Sequence, residues 1–174
     1  MLFLETDRLA LRPLAVEDDA FMLQLLNEPS FLRFIGDRGV RTPEAARRYI
    51  QTGPVASYQS RGFGLLLATL KEGRIPIGIC GLLKRDSLKD VDLGFAFLPT
   101  FWSKGYAFES ASAVIADGRA TLGLHRIVAV TNPDNESSIT LLGKLGFRFE
   151  HLVRLAEEGP PLRLFARDLG RRTE

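Results

Sequence analysis

Hydrophobic and polar residues alternate along this chain with two different periods, and each change of period marks an element. In residues 6–14, TDRLALRPL, Leu9 and Leu11 alternate with Arg8, Ala10 and Arg12, the period of a half-buried strand, and Pro13 closes it. Residues 16–27 open on Glu17, Asp18 and Asp19 and then repeat apolar side chains at Phe21, Leu23, Leu25 and Leu26. This predicts a helix with an acidic first turn, ended by Pro29. Thr42, Pro43 and Glu44 begin a second helix with a capping residue and a proline at the first helical position. Its pattern runs to Tyr49 or Gln51.

Three strands follow with no helix between them: residues 64–70 and 76–83, joined by the turn-rich KEGR, and residues 91–98. An antiparallel meander is the economical arrangement. Residues 107–122 carry Ala107, Ala111, Val114 and Ile115 on one helical face, with Gly123 just past the end. An apolar strand at 126–131 leads into NPDNESS, a turn that opens a short helix bearing Ile139, Leu142 and Leu145 on one side and stopped by Gly146. Strand-like runs at 147–155 and 162–169 flank the loop EEGPP. The order β-α-α-β-β-β-α-β-α-β-β, free of repeats and linkers, predicts an α/β (α+β) chain with one mixed sheet and helices on its faces. Residues 1–174 read as a single domain.

Composition narrows the function classes. At 45% hydrophobic and 25% charged residues the chain is of globular type, and 23 Lys and Arg against 21 Asp and Glu leave a formal charge of only +2. Nothing in that balance asks for nucleic acid. A lone cysteine, Cys80, forms no internal disulfide, and two distant histidines, His125 and His151, are too few for a zinc or iron cluster, so no metal is expected. The start of the chain carries Glu5 and Asp7 inside what would be a signal core, and no apolar run is long enough to span a membrane. A cytoplasmic protein, monomer or homodimer, is the expectation.

The usual nucleotide signatures are missing, as is the nucleophile elbow G-x-S-x-G. Cys80 sits in IGICGLL, a buried-strand pattern in which a thiol is a small apolar group. The remaining feature is the crossing from strand to helix at residues 98–107, where Ser103, Lys104 and Gly105 precede a helix N-terminus. Free backbone N–H groups and the positive end of the helix dipole suit a pyrophosphate there. Taken alone, a glycine and a lysine at such a crossing are more often a plain turn.

The wider pattern is more specific. DLGFAFLPTFWSKGYAFESA, followed by LGLHRIVAVTNPDNESSITLLGKLGFRFE, resembles the acetyl-CoA-binding core of GNAT-type N-acetyltransferases. Within them it is most similar to the RimJ/RimL branch of ribosomal-protein N-terminal acetyltransferases, through W-x-K-G-Y-A-x-E, an N-x-x-S helix ending in K-L-G-F, and the opening ETDRLALRPL with FLRFIG and RTPEAARRYI. The resemblance covers nearly the whole chain. It implies the GNAT fold, with a mixed and mostly antiparallel twisted sheet, and acetyl-CoA as co-substrate. The coenzyme's pyrophosphate would lie on the N–H groups of Ser103, Lys104, Gly105, Tyr106 and Ala107, and its pantetheine arm along the main chain of residues 95–98, including Phe97 and Leu98. Asn135 would hydrogen-bond the pantetheine and Asn132 orient the same loop; turn and N-cap chemistry also accounts for both. Trp102, where most of the superfamily has Gln or Arg, is shared by the RimJ/RimL branch and reads as packing.

The implied reaction is direct attack of an amine, either a protein N-terminal α-amine or a small-molecule amine, on the thioester. An α-amino group with a pKa of about 7.7–8.0 is partly neutral at physiological pH, so a distant or water-mediated base suffices. Asp92 in D-L-G-F matches the family carboxylate, although an exposed strand-end acid explains it equally. Leu142 stands where many relatives have a tyrosine for the leaving thiolate, so Ser138 becomes the candidate partner of the sulfur. Glu109 in a first helical turn is explained by the dipole, and Gly143 has no reading beyond close packing. The acceptor would enter between residues 17–51 and the EEGPP loop, with Phe31 and Phe34 as walls and Glu157 and Glu158 attracting an ammonium. Arg33, Arg38, Arg41, Arg47 and Arg48, against Asp37 and Glu44, suit an acceptor with an acidic group as well, or a solvated face. The alternative function is a coenzyme A-binding regulatory module without turnover.

Overall fold

The computed structural model describes residues 3–170. Eight strands form one sheet: β1 (Leu4–Glu5), β2 (Leu9–Pro13), β3 (Leu65–Leu70), β4 (Pro76–Leu83), β5 (Asp92–Phe97), β6 (Arg126–Thr131), β7 (Arg148–Val153) and β8 (Leu162–Asp168). Their spatial order is β1-β2-β3-β4-β5-β6-β8-β7. All neighbours are antiparallel except β5 and β6. The helices are α1 (Asp19–Leu26), α2 (Pro29–Phe34), α3 (Pro43–Ile50), α4 (Ala56–Arg61), α5 (Tyr106–Thr121) and α6 (Glu136–Lys144). No helix among the described residues is long and apolar enough to cross a membrane.

The sheet separates two cores. On one face Ala111, Val114 and Ile115 of α5 pack with Leu9, Leu11, Cys80, Leu82, Leu93, Phe97 and Ile127. On the other, Phe21, Met22, Leu25 and Leu26 of α1 and Ala46 and Ile50 of α3 cover Leu67, Ile79 and Leu98. Each large side chain buried this way contributes about 1.5–3 kcal/mol. The strand period therefore sets the division of faces: odd positions of β5 meet α5, and Ala96 and Leu98 meet α1 and α3.

Two local readings are corrected. Pro29 does not only end a helix: α1 stops at Asn27, and Pro29 opens α2 as its first residue, a place where its missing N–H costs nothing. The second helix, α3, ends at Ile50 within the expected bounds, but the helical path does not end with it. It passes through a wide π-type turn, Gln51–Val55, in which the Ala56 N–H reaches back to the Gln51 carbonyl, and then continues as α4. Pro54 has no N–H to give to an ordinary helical bond, and the wider turn accommodates it. Tyr58 of α4 ties this segment down: its hydroxyl accepts from the Leu14 N–H at 2.9 Å and donates to the Leu65 carbonyl. Burial pushes that phenol up to about 12.

Candidate active site

The parallel junction of β5 and β6 shapes the site. Their ladder contains one register pair, Asp92 with Val128, anchored by the Val128 N–H on the Val91 carbonyl at 3.0 Å. Beyond that pair the two strands separate. The junction is pinned just behind by Arg126, whose guanidinium bonds Asp90 at 3.2 Å and Glu150 at 2.6 Å. A crevice thus opens from Asp92 toward the C-terminal ends of β5 and β6.

The register of β4 fixes what lines it. Leu98 N–H donates to the Ile77 carbonyl at 2.9 Å and Phe97 faces Gly78, so the main-chain groups of even β5 residues point to β4 and those of Leu93, Phe95 and Phe97 point into the crevice. The Phe97 carbonyl is taken by the Trp102 indole N–H at 2.8 Å. Among the described residues the Phe95 N–H and carbonyl and the Phe97 N–H have no strand partner. Trp102, 44% exposed, is therefore a hydrogen-bonding side chain at the crevice mouth and not only packing.

Residues 103–107 lie at that mouth. Ser103 and Gly105 adopt positive φ of 58° and 82°, and this double left-handed turn delivers the chain into α5. The first intrahelical bond is Glu109 N–H to Gly105 carbonyl, and no side chain caps the helix, which leaves the N–H groups of Tyr106, Ala107 and Phe108 free of helical acceptors. Ser103, Lys104 and Gly105 are exposed. The helix dipole and these donors form an electropositive end of the kind that suits an anion.

Glu109 does more than complement the dipole. Its carboxylate accepts from the Thr6 hydroxyl at 2.6 Å, the Arg8 N–H at 2.9 Å and Arg8 Nε at 2.7 Å. Burial alone would raise this carboxyl, but the bonds from Thr6 and Arg8 and the guanidinium charge together hold it below the usual range. Neither Thr6 nor Arg8 stood out in the sequence beyond the alternation of a strand and the motif TDRLALRPL.

Across the crevice, Asn132 closes an Asx turn on the Asp134 N–H at 2.8 Å, and Asn135 caps α6 by accepting from the Ser138 N–H at 3.2 Å. The capping geometry leaves the amide NH2 of Asn135 for another acceptor. Asn132, Asn135 and Ser138 are half-buried and follow the end of β6, so the topology brings them to the mouth opposite Ser103–Ala107. Leu142, in place of a tyrosine, is 1% exposed and belongs to the core. Gly143 is exposed, with nothing within 4 Å of where a methyl group would stand, so close packing does not explain it.

Asp92 lies at the closed end. The reading of an exposed acid is overturned: it is 1% exposed, its Oδ2 accepts from Arg85 Nε at 2.8 Å, and its Oδ1 has no partner among the described residues. Burial raises its carboxyl above the ordinary value, with the Arg85 charge and hydrogen bond offsetting part of the effect. Thr131 is three residues past Val128, about 10 Å along the strand at roughly 3.3 Å per residue, so Asp92 and the α6 group share the crevice but are not adjacent. Cys80 is fully buried, and burial pushes its thiol up to about 12, so it is no nucleophile at neutral pH.

The expected acceptor walls are corrected in part. Phe31 is buried in the core under α1, not exposed to a pocket, whereas Glu157 and Glu158 are exposed on the β7–β8 loop. A cavity of about 370 Å³ lies elsewhere, between α3, the π-type turn and α4 on one side and Leu65, Leu83 and Lys84 on the other. Leu83 is the register partner of Asp92, and Leu83 and Leu65 reach over Gly94, so the cavity floor adjoins β5 near the closed end of the crevice. The charged residues that line it are Arg61 and Lys84. Among the described residues no three His, Cys, Asp or Glu side chains gather as metal ligands would.

Comparison with known proteins identifies the family. The acetyltransferase (GNAT) domain matches residues 8–148. An uncharacterised N-acetyltransferase of Bacillus subtilis, YoaA, is 33% identical over 162 residues, covering 91% of this chain and 90% of its own. Another, p20 of Bacillus licheniformis, is 31% identical over 87% of this chain and 85% of its own. Among solved structures, an acetyltransferase from Agrobacterium tumefaciens superposes with a TM-score of 0.80 at 23% identity over 96% of this chain and 94% of that one. RimL, a ribosomal L7/L12 alpha-N-protein acetyltransferase in complex with coenzyme A, gives 0.82 at 18% identity over 95% and 97%. The two structures share the fold, and the sequence matches decide the family: this chain belongs to the GNAT acetyltransferases and is an N-acetyltransferase.

Proposed function

We propose that the chain transfers the acetyl group of acetyl-CoA to an amine by direct attack, with the coenzyme in the β5/β6 crevice and its pyrophosphate on residues 103–107. The observation that carries this reading is the uncapped N-terminus of α5 behind a double left-handed turn, at the mouth of a crevice lined by unpaired main-chain groups of β5. The RimL neighbour, which shares the fold, is in complex with coenzyme A, and this supports the coenzyme as the ligand.

The residues then divide the reaction. The Phe95 and Phe97 main chain orients the pantetheine arm, assisted by Asn132 and Asn135, and holds the thioester carbonyl toward the closed end. The amine nitrogen bonds to that carbonyl carbon, the carbon–sulfur bond breaks, and the nitrogen loses one proton while the thiolate gains one. A main-chain N–H of β5 stabilises the charge on oxygen. Ser138 hydrogen-bonds the departing sulfur. Asp92 accepts the amine's proton through a water relay at Oδ1, and the raised carboxyl brings it nearer the operating pH.

The acceptor approaches from the face of α3 and α4. The cavity there is lined by Arg61 and by Lys84, whose ammonium also donates to the Arg85 and Leu88 carbonyls, and among the described residues by no carboxylate, which supports an amine that also carries an acidic group. The test is release of free thiol from acetyl-CoA with a panel of peptide N-termini, amino acids, polyamines and aminoglycosides. Turnover with acceptors bearing a carboxylate or phosphate is expected; no release above buffer with any acceptor would count against the reading.

A further inference from the structure

We propose that Arg8, a residue of the β1–β2 turn nearly a hundred positions away in sequence, is a positioning residue for the coenzyme's phosphates, acting through the loop that holds them. This rests on the reading of residues 103–107 as the pyrophosphate site.

The geometry concentrates four contacts of one side chain on that loop and on the first turn of α5. Arg8 Nε bonds Glu109 at 2.7 Å, its NH1 donates to the Lys104 carbonyl at 2.9 Å, its guanidinium carbon lies 4.4 Å from the centre of the Tyr106 ring, and its NH2 sits 3.2 Å from where a Gly105 methyl would be. The turn that carries Arg8 is itself fixed, since Thr6 Oγ1 accepts from the Leu9 N–H at 3.0 Å and donates to Glu109. The Lys104 carbonyl and the Gly105 N–H belong to one planar peptide and point in opposite directions. By taking the carbonyl, Arg8 turns the Gly105 N–H away from itself, to the side left free for an anion. The same contact holds Lys104 between the left-handed Ser103 and Gly105, a conformation that Ser103 adopts at a cost.

Charge argues for positioning and not for direct capture. The Arg8 charge is already met by Glu109, so the pair adds little net attraction for phosphate, whereas Lys104 is exposed and pairs with no carboxylate among the described residues. The planar fork is what the geometry uses. One ammonium cannot reach the Glu109 carboxylate and the Lys104 carbonyl along two fixed directions, so lysine is a poor substitute.

The test compares two acetyl donors, acetyl-CoA and S-acetylpantetheine, which lacks the pyrophosphate. Arg8→Ala is expected to raise the KM for acetyl-CoA about tenfold or more with little change in kcat, and Arg8→Lys to recover little of it. Rates with S-acetylpantetheine should stay near those of the wild type. Calorimetric titration with coenzyme A should show the same loss. An equal loss with both donors would mean that Arg8 only packs the fold, and an unchanged coenzyme A affinity in Arg8→Ala would remove its role while leaving the site intact. Failure of the wild type to bind coenzyme A would overturn the site reading itself. Thermal unfolding of each variant reports whether folding is retained, and Thr6→Val, which loosens the same turn while leaving the guanidinium in place, is expected to show a smaller loss of the same kind.

Discussion

Arg85 donates from Nε to Oδ2 of Asp92 across 2.8 Å, while the second oxygen of that buried carboxylate has no partner among the described residues. A charged group in this position is stabilised on one side only, and desolvation outweighs the ion pair. The folded-state pKa therefore lies above the unfolded value. Asp92 contributes stability that is fully present below its ordinary carboxyl range and lost as pH rises through the raised folded value. Relative to Asp92→Asn, the wild type should gain stability as pH falls through that window and level off below it. Urea unfolding of both proteins across pH 3.5–7.5 checks the sign; the opposite slope would mean that Arg85 governs. If Asp92 is the proton acceptor, Asp92→Asn should also lower kcat by about 10²–10⁴ and remove the acid limb of the rate profile.

Tyr58 links α4 to the sheet through two main-chain groups, the Leu14 N–H and the Leu65 carbonyl. Tyr58→Phe leaves both without their partner and should cost about 1–3 kcal/mol, read by chemical denaturation. Because α4 also lines the cavity beside the crevice, the acceptor KM should rise more than the donor KM.

Gly143 is an exposed helical glycine with open space around it. Gly143→Ala should stabilise the protein by up to about 1 kcal/mol, less if the nearby helix end frays. A loss of stability would show that some contact of this position matters after all.

Arg61 at the end of α4 is one of two charged residues on the cavity wall. Arg61→Ala should raise the KM for an acidic acceptor by about tenfold and leave coenzyme A affinity unchanged. Equal effects on acidic and neutral acceptors would remove the charge argument.

Much of this arrangement was legible in the sequence because its signals are local. The three-strand meander, the helix at α5 and the strand at β6 follow from periodicity, and the observed boundaries lie within two residues of the expected ones. Helix α4 was missed because the helical pattern runs only to Tyr49 or Gln51, and it takes the π-type turn to carry Gly53 and Pro54 within a continuing helical path. Asp92 sits at a strand start, where sequence suggests exposure; in the fold it is paired on both sides, with Leu83 of β4 and Val128 of β6, and is buried. The link from Arg8 to Glu109 spans 101 residues and has no periodicity to reveal it. Glutamate in a first helical turn had a sufficient local explanation, and that explanation concealed its second task.

The central claim is that the start of α5 holds the coenzyme's pyrophosphate, and calorimetric titration of coenzyme A into two variants tests it most directly. Gly105 has φ of 82°, which Asn and Asp both tolerate better than other side chains, so Gly105→Asn and Gly105→Asp add similar bulk and strain and differ in charge. Gly105→Asn should bind coenzyme A more weakly than the wild type, and Gly105→Asp should be weaker again by about tenfold, because its carboxylate, built on the Arg8 side of the loop, adds a negative charge near the phosphates and draws on the Arg8 guanidinium. Equal affinities for the two variants would contradict the account.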